Sequence, residues 1–481
     1  MTISRLIALP AEVERLSLRI AHKLQQVDPA AELFLVGGIV RDLLLRAAVG
    51  RDLDFATSAT PDQTEQALQA AGGKVFKIGE KFGTIGAVFG DLQVEVTTYR
   101  AEAYQPGSRK PEVAFRRHLA DDLARRDFTV NAIALDPRSG AIADPFEGQT
   151  DLGRALVRAV GSPPERFRED PLRLLRAVRF ASRLGFHIER ETAAAIAEAA
   201  PALATISRER VRDELDKLLL GPAPAHGIRL LCELGLADFS LPDVPRLRGM
   251  QQELIAGRHK DVFNHTLQVL DRTPPRPALR WAALLHDIAK PATRRIENGK
   301  VTFHGHDHKG ERMARRILTE LHQPSELVDR VGRLVGLHLR ANAYEGAWTD
   351  SAVRRFVLEV GDDTVEDLLS LSRADVTTGR IERRAAIARS VAELEQRIQE
   401  LRAREDIARI SSPLDGLELM RLFDRGPGPW IQPIKDHLKE LVIEGDLAAD
   451  DKEAAMPIAR QLYVELGLDR LPDHRPRGAH T

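Results

Sequence analysis

The runs that read as β-strand cluster before Asp151 and largely vanish after it. "ELFLVGG" (32–38), "KVFKIGE" (74–80), "GTIGAVFG" (83–90), "LQVEVTTYR" (92–100) and "NAIALDP" (131–137) are short, β-rich and bounded by Gly or Asp. Beyond them an amphipathic helical pattern takes over. A chain built this way is α+β in class: a small mixed-sheet head followed by an all-helical body. At 481 residues it exceeds one compact core. The expected divisions are a head over residues 1–150, a helical neck over 151–257, a histidine-rich helical bundle over 258–380 and a C-terminal helical region over 381–481. "GPAPAHG" (221–227) and "TPPRP" (273–277) punctuate the helices. Residues 380–405 read as one charged helix whose Ile387, Val391, Leu394, Ile398 and Leu401 form a single apolar stripe. Packing on its own domain is favoured there over a short coiled coil, and the last dozen residues read as a frayed tail.

A chain that is 43% apolar and 29% charged has an ordinary globular composition. It holds no uncharged apolar run of about 18 residues, so no membrane partner is expected. Its first residues meet Pro10 and then charges, unlike a secretory leader. The single Cys232 excludes an internal disulfide framework. The expected location is the cytoplasm, and nothing in the sequence speaks to oligomeric state. A net charge of −1 gives no overall attraction for a polyanion, yet residues 154–190 hold nine arginines against four acids. Such a local patch suits phosphate, although charge clusters are more often solvated helix faces.

The head's most informative stretch is "LVGGIVRDLLLRAAVGRDLDF" (35–55). Gly37 and Gly38 end a strand and open a helix, where backbone can approach a phosphate closely. Asp52 and Asp54 are two apart in a strand, so both carboxylates face one side. Adjacent like charges are costly unless a divalent cation offsets them. With triphosphate oxygens, the pair could form the two-metal arrangement of nucleotidyl transfer. Glu95 is a candidate third carboxylate on a neighbouring strand.

Downstream lie "DLARRDFTVNAIALDP" (122–137), "DPFEG" (144–148), "ERFREDPLRLLRAVRFASRLGF" (165–186) and "ISRERVRDELDKLL" (206–219). With the opening stretch, these motifs make residues 35 to about 220 resemble the class II tRNA nucleotidyltransferase and bacterial poly(A) polymerase family. The resemblance implies a polymerase-β-like head that extends an RNA 3′ end without a nucleic-acid template, with tRNA, CTP and ATP as partners. It further implies that Gly37, Gly38, Arg41 and Asp42 line the triphosphate site, that Asp52 and Asp54 hold Mg²⁺, and that Arg126, Asp127 and Asn131 handle ribose and triphosphate. Arg210 and Glu214 would brace the neck.

Within "EDPLR" (169–173), a helical reading puts Asp170 and Arg173 on one face. Asp accepts and Arg donates, which suits the pairing edges of cytosine and adenine. Guanine and uracil present the reverse order and would leave groups unpaired, at about 1–3 kcal/mol each. The family assigns base recognition to these positions, with Arg176 and Arg179 continuing the basic face as helper donors or RNA contacts. Residues 97–115, with Arg109 and Lys110, resemble the family's flexible loop, whose presence argues against an enzyme adding only CC. Their "YQPGSRKP" wording departs from the usual form of that loop. Glu80 and the glycines around it favour the tRNA branch over the poly(A) branch.

A second cluster occupies 265–375. His265, the His286–Asp287 doublet, His304, His306, His308, His338 and Asp375 follow in order. Imidazole and carboxylate are ligands of divalent metals in phosphohydrolases. The order resembles the HD phosphohydrolase domain. By that resemblance His265, His286, Asp287 and Asp375 form a four-ligand core for a divalent transition metal or Mg²⁺. His306 and His338 would serve a second ion, and His304, His308 and His322 are bystanders. The resemblance implies phosphodiesterase or phosphatase activity on RNA 3′ ends; action on free nucleotides, or a structural role, are the alternatives. The region after Ser411 resembles the family's tRNA-embracing helices, which would read duplex shape and phosphates. An A-adding enzyme, a poly(A) polymerase and a non-catalytic tRNA-binding factor are the rival readings of the whole chain.

Overall fold

In the computed structural model, the described residues are 9–76, 83–103, 112–115, 118–251, 261–297, 300–341, 344, 348–376, 381–404, 407 and 410–468. They form two compact units, one of Met1–Arg246 with Glu320–Gln323 and one of Leu247–Thr319 with Pro324–Thr481. Glu80, Arg109, Lys110 and the C-terminal tail lie outside the described residues.

The first unit opens with helix Ala11–Val27, whose Val13, Leu16, Ile20 and Leu24 recur at helical spacing and are all buried. The head sheet follows. Its strands are β1 (Leu33–Val36), β2 (Asp52–Thr57), β3 (Lys74–Phe76), β4 (Thr84–Phe89) and β5 (Leu92–Thr98). β6 (Arg100–Ala103) and β7 (Glu112–Phe115) form a separate antiparallel ladder. The short strands β8 (Ala134–Leu135) and β9 (Ile142–Ala143) complete the sheet in the order β3-β4-β5-β2-β1-β8-β9. Of its pairings, only β2 with β5 is parallel.

That parallel register positions the chemistry. It sets Asp52 beside Gln93 and Asp54 beside Glu95. Strand β2 alternates, with Asp52 and Asp54 open and Leu53 and Phe55 buried. Burying Phe55 contributes on the order of 2 kcal/mol, so a one-residue slip that exposed it would be strongly resisted. Helix Pro61–Ala70 covers the sheet from a capping box made by Thr60 and Gln63.

The neck departs from the helical reading of "EDPLR". One helix, Pro163–Glu169, ends before Asp170, and another, Leu172–Leu184, begins after Pro171. Asp170 is extended, at φ −144° and ψ 99°. Proline disfavours the helical region for the residue before it and suits the start of a new helix. Asp170 and Arg173 therefore do not share one helix face. The Asp170 side chain turns back to accept the Leu172 amide at 3.1 Å. The Arg173 amide donates to the Asp170 carbonyl at 3.0 Å, so the two remain neighbours through a turn. Helix Leu172–Leu184 closes at Gly185, whose φ of 68° is the left-handed cap glycine favours. It packs on helices Arg208–Leu219 and Pro224–Glu233.

Among its described residues the second unit is helical apart from one small hairpin, Arg295–Glu297 with Lys300–Thr302. Helices Val262–Arg272, Pro277–Leu285, His306–Glu320, Ser325–Leu337, Asp350–Val360 and Val365–Asp375 build the bundle. Helix Ile381–Arg404 spans the long charged segment, and Val391, Leu394, Ile398 and Leu401 are buried against its own unit. It packs on helices Asp350–Val360 and Val365–Asp375, so its stripe is intramolecular rather than a coiled-coil seam. Gly416–Leu422, Ile431–Glu444 and Lys452–Glu465 follow, joined where Phe423 stacks on Tyr463 at 4.1 Å. Among the described residues no helix is long and apolar enough to cross a membrane.

Candidate active site and metal centre

In the head, Gly37 ends β1 at φ 76°, outside the range most side chains adopt. Space is tight as well, so a side chain would push on Arg126. A Cβ there would stand 3.0 Å from Arg126 Nη1 and 3.8 Å from Asp54 Oδ2. Gly37, Arg126 and Asp54 therefore share one corner. Asp54 is open to solvent. Surrounding protein nevertheless displaces enough water to raise its carboxyl pKa; Arg126 opposes that rise, and Glu95 and Asp52 add to it. A site that crowds three carboxylates from two neighbouring strands, β2 and β5, favours a divalent cation, and an all-oxygen donor set suits Mg²⁺.

Arg126 is held by Asp122, which sequence reasoning did not single out. Asp122 is fully buried and accepts Arg125 Nη2 at 2.6 Å and Arg126 Nη2 at 3.1 Å. Its spacing of three and four residues from the two arginines was the available signal. Arg126 Nε is buried and makes no hydrogen bond.

Behind this corner runs a chain of charge-assisted hydrogen bonds. Arg41, 2% exposed, bonds Asp42 Oδ1 through Nε at 2.8 Å and Asn131 Oδ1 through Nη1 at 2.7 Å. Asn131 Nδ2 donates to Asp127 Oδ1 at 3.1 Å, and Phe128 N donates to the same oxygen at 2.8 Å. Arg176 meets Asp127 Oδ2 through Nε at 2.8 Å and Nη2 at 2.6 Å. Arg179 Nε binds Glu214 Oε2 at 2.6 Å, while Arg41, Arg176 and Arg179 all lie over the Phe180 ring. Burial works to raise the Asp127 carboxyl. The charge of Arg176 and the hydrogen bonds from Asn131, Arg176 and Phe128 outweigh it, so its pKa falls below the ordinary range.

The structure thus brings Gly37, Asp54, Arg126, Asp127 and Asn131 into one connected region. Arg176 and Arg179 belong to its supporting framework rather than to an open basic face, and Arg41, expected to line the triphosphate site, is buried in that framework, as is Arg179. Asp170 Oδ2 accepts Arg210 Nη2 at 2.8 Å. Arg173 donates to Glu169 Oε2 at 2.7 Å, to the Arg166 carbonyl at 3.1 Å and to the Arg125 carbonyl at 3.0 Å.

The second unit gathers all six histidine and aspartate candidates. His265, His286 and Asp375 form one group and Asp287, His306 and His338 another, with each group's ligand atoms within 4.8 Å of one another. Helix C-termini deliver three of them, while His265 lies within helix Val262–Arg272 and His306 opens helix His306–Glu320. His286 caps Pro277–Leu285, His338 caps Ser325–Leu337, and Asp375 is the last residue of Val365–Asp375. Helix C-termini carry partial negative charge, which favours a cation. Nδ1 of His286, His306 and His338 lies 2.8, 2.8 and 2.7 Å from the carbonyls of Ala283, Phe303 and Val335. A carbonyl only accepts, so Nδ1 carries the proton in each and Nε2 faces the cluster as a potential ligand.

The electrostatics favour the neutral ring at His338 and His265. Burial lowers the His338 pKa to about 4, keeping its ring neutral. Burial lowers His265 too, whereas for His286 the charges of Asp287 and Asp375 outweigh burial and raise it. Burial likewise opposes ionisation of Asp287, but His286 and Lys290 hold its carboxyl well below the usual range. Asp287 Oδ1 is buried with no hydrogen-bond partner, an arrangement a metal would satisfy. Nitrogen and oxygen donors so arranged fit a divalent transition ion. Lys290, three residues after Asp287, reaches Asp287 Oδ2 at 2.7 Å and was missed by the sequence reading, although its spacing places it on the same turn.

Comparison with known proteins covers both units. The poly(A) polymerase head domain matches residues 33–158, a probable RNA and SrmB-binding site of polymerase A matches 185–247, and the HD domain matches 262–379. The chain is 33% identical over 442 residues to a CCA-adding enzyme of Geobacillus sp. (strain WCH70), covering 90% of this chain and 93% of that one. It is 36% identical over 436 residues to the A-adding tRNA nucleotidyltransferase of Deinococcus radiodurans, covering 88% and 94%. Among solved structures, the Bacillus stearothermophilus CCA-adding enzyme in complex with CTP aligns with a TM-score of 0.70 at 28% identity, over 96% of this chain and 100% of that one.

Proposed function

The chain belongs to the class II tRNA nucleotidyltransferases, carries an HD domain, and from that premise we propose that it completes tRNA 3′ ends with CCA, using CTP and ATP, in the cytoplasm. The observation that carries this reading is the corner where Asp54, Glu95, Arg126 and the side-chain-free Gly37 converge. In the proposed reaction the RNA 3′-hydroxyl attacks the α-phosphorus of the nucleotide, a P–O bond forms, and pyrophosphate leaves. Asp52 and Asp54 hold Mg²⁺, which supplies the charge neutralisation that in-line transfer needs. Arg126 directs its guanidinium to the triphosphate, and Gly37 leaves room for it. Asp127 and Asn131 fix the ribose end of the site through the framework that reaches Arg176. Asp170 and Arg173 offer the acceptor and donor that suit cytosine and adenine. For this they exchange the contacts they hold with Arg210 and Glu169 for contacts with the base. The C-terminal helices contact the tRNA.

In the same proposal the histidine–aspartate centre is a phosphohydrolase clearing 2′,3′-cyclic or 2′-phosphates from RNA ends, which leaves the free hydroxyl that nucleotide addition requires. His265, His286, Asp287 and Asp375 hold one divalent ion, and Asp287, His306 and His338 serve a second. A bound metal there would lower the pKa of a water molecule. Lys290 stands where it can balance negative charge on a phosphate.

The likeness to the Deinococcus radiodurans protein favours a second reading, addition of the terminal A alone. Paired variants test the two-site account. Asp54→Asn should abolish nucleotide incorporation into tRNA and leave hydrolysis of a 2′,3′-cyclic phosphate intact. His286→Ala should do the opposite. If either substitution removed both activities from folded protein, the assignment of two independent sites would be wrong.

A further inference from the structure

Asp367 is a buried carboxylate outside the six candidate ligands, on the same helix as Asp375, and two guanidinium groups lie against it. Arg276 Nη1 lies 2.9 Å from its Oδ1 and Arg330 Nη2 lies 2.8 Å from its Oδ2. Asp367 is 1% exposed. Asp367 Oδ1 and the Nε atoms of both arginines are buried without a hydrogen-bond partner, so Arg276 meets Oδ1 as an ion pair and the three buried polar groups balance one another by charge. Arg276 also donates to Ser370 Oγ at 3.0 Å and Arg330 to the Asp363 carbonyl at 2.8 Å, both neutral acceptors. The other carboxylate near Arg276, Glu366, is 3.4 Å away and largely exposed.

The three residues mark the N-terminal parts of three helices. Arg276 is the N-cap of Pro277–Leu285, Arg330 lies in the second turn of Ser325–Leu337, and Asp367 is the third residue of Val365–Asp375. The C-terminal ends of those same helices deliver His286, His338 and Asp375. Eight residues of helix separate Asp367 from Asp375, about 12 Å. One ion triad therefore ties together, at one end, the helices whose other ends converge on the metal-ligand cluster.

We propose that Asp367 is a positioning residue for the histidine–aspartate centre: with Arg276 and Arg330 it sets the mutual placement of the helices presenting His286, His338 and Asp375 to a divalent cation, and it offsets two guanidinium charges that would otherwise repel that cation. The inference rests on the metal-centre reading given above. A rigid helix transmits a shift at one end to the ligand at the other, and an unbalanced positive charge at this range in protein still acts on a dication.

The test titrates Co²⁺ alone into the full chain carrying Asp52→Asn and Asp54→Asn, so that the head carboxylates do not compete, and follows the visible absorption of imidazole-bound Co²⁺. Adding Asp367→Asn should weaken Co²⁺ binding about tenfold and shift the band while circular dichroism stays unchanged. Asp367→Glu keeps the charge and should recover affinity to within about threefold of the parent, with a shifted band. Should the Asn variant fail to fold, the band position and affinity of the Glu variant carry the test. A carboxylate serving only stability would lower the melting temperature and leave affinity and band at parent values in the folded variants, which would overturn the proposal. A parent chain that gave no imidazole-bound Co²⁺ spectrum would instead overturn the metal-centre reading beneath it.

Discussion

A single carboxylate oxygen of Asp127 accepts two hydrogen bonds from Arg176, at 2.8 and 2.6 Å, joining the residue after Arg126 to the helix that follows the Asp170 turn. Asp127 is 7% exposed, and Arg176 is about one-third exposed. Removing the acid strands a cation that is partly shielded from solvent screening. Breaking a fully buried pair costs about 3–5 kcal/mol, and partial exposure of Arg176 reduces that. Asp127→Ala should therefore lower stability by about 2–3 kcal/mol in urea unfolding of the isothermal protein, with a loss under about 0.5 kcal/mol counting against the linkage.

The same pair sets a pH dependence. The folded-state pKa of Asp127 is depressed. Its contribution is thus fully present above the unfolded value of about 3.9 and is lost as pH falls through the lower folded value. The stability gap between the parent and Asp127→Asn should stay constant from pH 7 to about pH 5 and narrow only below about pH 4. Urea midpoints across that range check it, and a gap that narrowed near neutrality would point to another titrating group.

Gly37→Ala should separate binding from folding. The new methyl meets Arg126 Nη1 at 3.0 Å on a backbone with φ of 76°. With ψ at −134° this backbone lies in the mirror-β region that glycine enters freely, and holding a residue with a side chain there costs roughly 1–3 kcal/mol. Modest destabilisation should accompany at least a tenfold loss in kcat/KM for CTP, read from initial rates. Unchanged kinetics would remove Gly37 from the triphosphate site.

Pro171→Ala should relax the break between helices Pro163–Glu169 and Leu172–Leu184, because alanine permits Asp170 to become helical. The turn that keeps Asp170 and Arg173 adjacent would then be lost in part. Incorporation of UTP relative to CTP should rise about tenfold, equivalent to about 1.4 kcal/mol of discrimination. Unaltered discrimination would place base selection elsewhere.

Much of this was legible in the sequence because it depends on local spacing. The Asp-x-Asp alternation follows from strand pleat alone, and β2 does leave Asp52 and Asp54 on the same open side. The order of histidines and aspartates foretold which residues gather in the second unit, since short helices end on His286, His338 and Asp375. What was not legible was the partner of each arginine. Arg173 and Arg179 look like an exposed basic face in one dimension, but tertiary packing turns them onto Glu169 and Glu214, and Arg41, expected at the triphosphate, onto Asn131. The proline in "EDPLR" was visible, yet the helical period around it concealed the break. The burial of Asp122 and Asp367 depends on long-range packing that no local period encodes.

The central claim, template-free completion of a tRNA end, is tested most directly by product mass. A tRNA transcript lacking CCA would be incubated with Mg²⁺ and CTP, ATP or both, and its intact mass read. The account predicts two added C residues with CTP alone and a stop after C-C-A with both. Failure to add C, with a single A joined only to a tRNA already ending in CC, would contradict it and establish A addition; a long ladder of A would contradict it in favour of a poly(A) polymerase.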